Sequence, residues 1–186
     1  MRKLKLQMQM SVDGFIAGPN GELDWMLFNW DDVLIKYVTE LTNSVDTIIL
    51  GRKLAEGFIP YWKNVAADPE NPENAAGKTF TNLPKIVFSK TLQESQWDNT
   101  RVAKNITDEI VELKKQPGKD IIAYGGATFV SDLIKHNLID EYHFFINPVI
   151  IGNGMSIFKG HERKNLDLIK TTTTGNGIVV LLYQPK

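Results

Sequence analysis

Three glycine-bearing turns and a few charged side chains are the parts of this sequence able to do chemistry. Ser11-Val12-Asp13-Gly14, Leu50-Gly51-Arg52-Lys53 and Tyr124-Gly125-Gly126-Ala127-Thr128 each follow a run that reads as a strand. A turn without Cβ atoms lets an anion approach the backbone, and the N–H groups of a following helix start point at it. Gly125-Gly126 is therefore a candidate phosphate cradle, although it is not the G-x-G-x-x-G dinucleotide fingerprint. Taken alone, a tight strand-to-helix turn is the commoner reading. Arg52 adds a fixed cation whose fork suits a phosphate, and an Arg on a solvated helix start is as common. Ser89-Lys90 places a hydroxyl and an ammonium at another strand end. Together these sites point to one phosphate-bearing ligand more strongly than any of them alone.

The candidate acids are Asp13, Asp31 and Asp32. Asp13 stands at the end of an alternating run, where a carboxyl could orient a polar substrate or relay a proton. An Asx turn closing Asp13-Gly14 is an equally good use of it. Asp31 and Asp32 compete for the same role, with a helix N-cap as their commoner use. Trp25 and the other three tryptophans could wall a planar heterocycle, but Trp is more often packing.

The elements that must position these groups are legible in outline. Leu4, Leu6, Met8 and Met10 alternate with Lys3, Lys5, Gln7 and Gln9, which predicts a strand with one buried face. A helix is expected over Asp31–Thr42, a strand over 47–50, and a short helix from Gly51-Arg52. Residues 64–84, rich in Pro, Asn and acids at Asp68–Asn74, read as a long loop that could serve as a lid. A strand over 85–89 follows, then a helix over 107–115 with Thr107 as its N-cap. A strand over 120–124 runs into Gly125-Gly126, and the next helix carries Phe129, Val130, Leu133 and Ile134. Strands over 141–151, 166–174 and 178–183 complete the chain, the last two joined by a Gly175-Asn176-Gly177 hairpin turn. This order predicts an α/β fold with a mostly parallel central sheet and antiparallel C-terminal strands.

Composition narrows the class without naming a reaction. The chain has 186 residues, with 21 Lys and Arg against 22 Asp and Glu and no Cys. A length of this order buries about 70% of the unfolded surface in one core, so residues 1–186 are expected to form a single domain. Without Cys there is no thiol nucleophile, iron–sulfur cluster or disulfide framework. His136, His143 and His161 are too few and too scattered for a metal site. The balanced charge argues against a nucleic-acid partner. The start lacks an apolar signal-peptide core, and no apolar run approaches the roughly 20 residues that span a bilayer, so a cytoplasmic protein with no membrane partner is expected.

The succession Ser11-Val12-Asp13-Gly14-Phe15-Ile16-Ala17, Leu50-Gly51-Arg52-Lys53, Lys85–Ser89, Gly125-Gly126-Ala127, Leu138-Ile139-Asp140-Glu141 and Pro148–Gly154 resembles the dihydrofolate reductase-like superfamily. The nearer match is to the reductase domain of riboflavin biosynthesis and its stand-alone relatives, and it runs over essentially the whole chain. The resemblance implies a three-layer α/β/α domain that binds NADPH and forms a homodimer. By it, Ala17 and Gly18 line the nicotinamide, while Gly51, Arg52, Lys53 and Ser89 hold the adenosine phosphates. Gly125, Gly126, Ala127 and Thr128 wrap the pyrophosphate. Asp13 faces a small-molecule substrate, and Trp25, Asp31 and Asp32 belong to another wall. The implied activity is hydride transfer to a C=N or C=O bond of a polar heterocycle or ribosylated pyrimidine, as in 5-amino-6-(5-phosphoribosylamino)uracil reductases. A dihydrofolate or pteridine reductase and a non-catalytic nucleotide-binding module of the same fold are the alternatives. Two positions depart from the riboflavin pattern: Tyr124 replaces the usual acid before the glycine pair, and Phe15 replaces a polar residue after Asp13-Gly14.

Overall fold

The first strand, β1 (Leu4–Ser11), lies inside the sheet and is covered on both faces. Leu4, Leu6, Met8 and Met10 enter one core, as the alternation requires. The opposite face is also buried, contrary to expectation: Lys5 and Gln7 are both less than a tenth exposed. Lys5 is tolerated there because its ammonium meets the Ser44 hydroxyl at 2.8 Å and Asp120 at 2.9 Å. A computed structural model describes residues 1–160 and 162–186, so His161 lies outside the described residues.

The chain continues through α1 (Asp32–Asn43), β2 (Val45–Gly51), α2 (Arg52–Ala67), α3 (Asn74–Asn82), β3 (Lys85–Phe88) and β4 (Thr100–Ala103). It then forms α4 (Ile106–Lys115), β5 (Asp120–Ala123), α5 (Ala127–Lys135), β6 (Glu141–Asn147), β7 (Leu166–Thr173) and β8 (Val179–Pro185). The strands form one sheet in the order β4-β3-β2-β5-β1-β6-β8-β7. The first six are mutually parallel, and β8 runs antiparallel to both β6 and β7. Apolar faces of α4 and α5 pack on one side of the sheet through Ile110, Leu113, Phe129, Val130 and Leu133. On the other side lie α1, α2 and α3, through Leu34, Leu41, Ala55, Ile59 and Phe80. The layers and the mixed sheet are those expected.

Several boundaries differ for local reasons. The expected long loop over 64–84 is two helices joined by a short acidic turn. Asn74 makes that turn, its amide donating to the carbonyls of Val65, Ala66 and Asp68 at the end of α2. Gly77 then lets α3 lie directly on α2, since a Cβ there would come within 2.7 Å of the Ala66 nitrogen. The segment is packed against the body through Phe80 and is no lid. The helix after Gly51 is 16 residues long rather than short. Asn105, not Thr107, caps α4, its side chain accepting the Asp108 N–H. Strand β6 stops at Asn147, before the expected 151, because Pro148 cannot extend the ladder. The edge strand β4 has no alternation to reveal it and is held by pairing with β3.

Candidate active site

The connections through the sheet place a topological switch point at the carboxyl ends of β1 and β5. These strands are neighbours, but β1 leads through α1 to β2 on one side, while β5 leads through α5 to β6 on the other. Where crossovers leave in opposite directions, the strand ends splay and a ligand can enter. The described turns at this edge carry most of the residues singled out from the sequence.

One wall is glycine. The Gly51 N–H donates to the Gly125 carbonyl at 3.4 Å, which sets the start of α2 against the turn before α5. A Cβ on Gly51 would come within 2.9 Å of the Phe129 Cβ. Gly125 and Gly126 have φ of +143° and +91°, backbone that side chains with a Cβ adopt only under strain. Neither Gly51 nor Gly126 offers a side-chain cap, so the first N–H groups of two adjacent helices lack side-chain acceptors. Two partial positive charges side by side suit an anion. Arg52 begins α2 half-buried and reaches Glu56 at 2.5 Å, one turn along. Lys53 and Thr128 are exposed, and Ala127 is half-buried. Ser89 is brought to the same edge, but its Oγ already accepts the N–H groups of Thr91 and Leu92, at 3.2 and 3.0 Å. Its hydroxyl shapes the turn after β3 before it can serve a phosphate.

The other wall is formed by the turns after β1 and β6. The Asp13 carboxylate accepts the Gly152 N–H at 2.7 Å and the Ile151 N–H at 3.3 Å. The Ser11 hydroxyl and these two N–H groups hold it below the usual carboxylate range. A carboxylate kept ionised in this way is a loop anchor and a weak proton donor. Ala17 continues the contact, its carbonyl accepting the Met155 N–H at 2.9 Å while Ile16 donates to the Met155 carbonyl. Gly18 closes a tight turn on Glu22, so it too has a local task.

The two aspartates at α1 separate clearly. Asp31 is its N-cap, accepting the Leu34 N–H at 2.9 Å, and its second oxygen accepts the Gly175 N–H at 2.5 Å. These bonds lower its pKa, the Leu34 bond most. Asp32 is the first helical residue and is exposed. Trp25 is half-buried on the loop before α1, with its indole nitrogen enclosed and lacking a partner among the described residues. Tyr124 stacks on Phe58 with ring centres 5.3 Å apart and meets Phe80 edge-on, so it fills the helix-side core. Phe15 packs beside Gly154 in the anchored loops.

Comparison with known proteins assigns this arrangement. The model of the RibD C-terminal domain matches residues 2–180. The chain belongs to that family. It is 37% identical to Bacillus subtilis YyaP, over 98% of this chain and 94% of that one. The "Putative riboflavin biosynthesis protein" of Shewanella sp. PV-4 superposes over 100% of this chain and 99% of its own, with a TM-score of 0.73 and 21% identity. Enterococcus faecalis dihydrofolate reductase, solved with NADP(H), superposes over 99% of this chain and 96% of its own, with a TM-score of 0.61 and 18% identity. The fold is dihydrofolate reductase-like.

The two uncapped helix starts at Gly51 and Gly126 suit the phosphate of an anionic ligand. A Cβ on Gly125 would fill the space beside Leu54 and Met8, at 3.4 and 3.5 Å. A cleft of about 420 Å³ opens at the opposite, amino-terminal edge among Arg2, Thr47, Lys85, Thr100, Arg101 and Gln116. Its guanidinium groups are already matched, Arg2 by Asp46 and Arg101 by Glu109. Lys85 there gives its ammonium to the Thr81 and Leu83 carbonyls, and the carboxyl edge differs in its two helix starts without side-chain caps. Sequence reading overlooked Asn147, which is fully buried and binds both Gln9 and Leu27. An Asn closing an apolar strand just before Pro148 was the available signal.

Proposed function

We propose that this chain is an NADPH-dependent reductase of the kind that serves riboflavin biosynthesis, acting on a small polar heterocycle or ribosylated pyrimidine. The observation that carries the reading is the meeting of two uncapped helix starts through Gly51, Gly125 and Gly126 at the switch point. Gly125, Gly126, Ala127 and Thr128 would take the pyrophosphate on backbone N–H groups. Arg52 and Lys53 would hold the adenosine-side phosphate, with Arg52 exchanging its bond to Glu56 for a bidentate contact. When bound, NADPH would supply a hydride for the carbon of a C=N or C=O bond, and the proton for the heteroatom would come from solvent. The protein's share is positioning, since holding both reactants converts a bimolecular step into a unimolecular one. Asp13 contributes by fixing the loop on which Ala17 and Gly18 sit.

The test is titration of NADPH and NADH into the pure protein and into Arg52→Ala, followed by turnover with pyrimidine ribosides and pteridines. The reading expects tighter binding of NADPH than NADH, and loss of that preference in Arg52→Ala. Absence of NADPH binding, or an Arg52→Ala affinity equal to that of the unchanged protein, overturns it. Binding without turnover of any compound favours a nucleotide-binding module.

A further inference from the structure

The start of α2 is charged against its own dipole. A helix N-terminus carries a partial positive charge, which acidic side chains in the first turn offset. Helix α1 opens on Asp31 and Asp32, and α4 on Asn105, Asp108 and Glu109. Helix α2 opens instead on Gly51, which offers no side-chain cap, followed by Arg52 and Lys53, and its first turn holds no acid. Lys53 is exposed and has no acidic partner among the described residues. The backbone dipole and two cationic side chains therefore add up at one point, beside the start of α5.

Glu56 is the only acid in α2, and it answers this charge. Its Oε1 accepts from Arg52 Nη1 at 2.5 Å, one helical turn along. The cation precedes the acid, which is the weaker order for such a pair in a helix, so the pair contributes little to holding α2. The two side chains are 36% and 46% exposed, and an ion pair so open to water is readily exchanged. The printed contact uses one N–H of a guanidinium that carries five, which leaves the fork able to turn to a bidentate acceptor. A phosphate arriving at this edge thus finds Arg52 already holding a carboxylate.

From this we infer that Glu56 is a specificity-determining residue for the cofactor, because its carboxylate occupies Arg52 until a phosphate displaces it. The inference rests on the reductase reading above and adds a residue to that cofactor site. NADPH carries a phosphate on the adenosine ribose and must displace Glu56 to engage Arg52. NADH lacks that phosphate and leaves the pair of Arg52 and Glu56 intact. Glu56 therefore weakens NADPH alone and narrows its advantage over NADH. It acts through the guanidinium and touches neither dinucleotide.

Calorimetric titration of NADPH and NADH into the whole chain, Glu56→Gln, Arg52→Ala and the double variant tests this. Glu56→Gln keeps the size of the side chain and removes its charge. It is expected to tighten NADPH by about two- to fivefold, the worth of an exposed ion pair, and to leave NADH unchanged. The gain should fade at high salt, where the competing pair is screened. In the Arg52→Ala background, Glu56→Gln should bring no gain for NADPH, since the group it competes for is absent. A purely structural Glu56 would lower the melting temperature and leave the ratio of the two affinities unmoved. An unmoved ratio, weaker NADPH binding in Glu56→Gln, or the same gain with and without Arg52 overturns the inference while the reductase reading stands. NADPH that does not bind, or that binds Arg52→Ala as tightly as the unchanged protein, strikes the reductase reading and this inference with it.

Discussion

The Asp13 carboxylate accepts the Gly152 N–H at 2.7 Å, tying the turn after β1 to the turn after β6 at the edge of the switch-point crevice. The tie crosses 139 residues of sequence and adds a side-chain anchor to loops that the Ala17–Met155 bridge also joins. Asp13→Ala is expected to speed hydrogen exchange at the Ile151 and Gly152 amides, and Asp13→Asn to do so less, since its amide keeps one acceptor. The carboxylate is held below its ordinary value of 3.8, so the tie is fully present above that pH and released as pH falls through the folded value. Exchange rates that match the unchanged protein in Asp13→Ala would remove this anchor from the account.

A second acid-sensitive contact lies on the α1 face of the sheet. His143 first, then Lys3 and Lys5, draw Glu141 down to about 2 from an ordinary 4.5. A carboxyl depressed in the fold stabilises it above the unfolded value, and that stability is lost as pH falls toward the folded one. Urea midpoints should therefore drop between about pH 4.5 and 2. Glu141→Gln should flatten this part of the profile and lower the midpoint at neutral pH. An identical acid slope in the variant would show that other groups set it.

Two glycines in the helical segment respond in opposite directions. Gly77 touches α2 so closely that an added Cβ would meet the Ala66 nitrogen and Val65, and Gly77→Ala is expected to cost about 1–3 kcal/mol through overpacking. Gly57 sits inside α2 with open space around it, and Gly57→Ala is expected to add about 0.5–1 kcal/mol of stability through helix propensity. Denaturant melts of both variants check this. If Gly77→Ala were as stable as the parent, α3 would not be packed on α2 as described.

Gly125 has a φ of +143°, which only glycine adopts without strain. Gly125→Ala should cost about 1–3 kcal/mol of stability and weaken NADPH binding well beyond that of a control such as Gly57→Ala. Thermal melts and cofactor titration on the same samples separate the two effects.

How much of this was legible depended on where a residue's partners lie. The alternation at Leu4–Met10, the hairpin at Gly175–Gly177 and the Gly125-Gly126 turn are local patterns, and they led to the right sheet. The burial of Lys5 and Gln7 is not local, because it depends on Asp120, Ser44 and the cover of α1. Helix α3 was hidden by its small residues and by Gly77, whose purpose appears only once α2 lies beside it. The N-cap use open to Asp31 is the one it has, while its bond to Gly175 and the bonds of Asp13 to Ile151 and Gly152 depend on residues far along the chain. Asn147 escaped notice because its partners Leu27 and Gln9 stand 120 and 138 residues away.

The central claim is that the glycine-lined crevice above β1 and β5 is the cofactor site, and backbone amide shifts during an NADPH titration test it most directly. The account predicts that the N–H signals of Gly51, Arg52, Gly126 and Ala127 move with NADPH, while those of Thr100 and Arg101 at the opposite cleft stay fixed. Movement at Thr100 and Arg101 with Gly51 and Gly126 unmoved would contradict it.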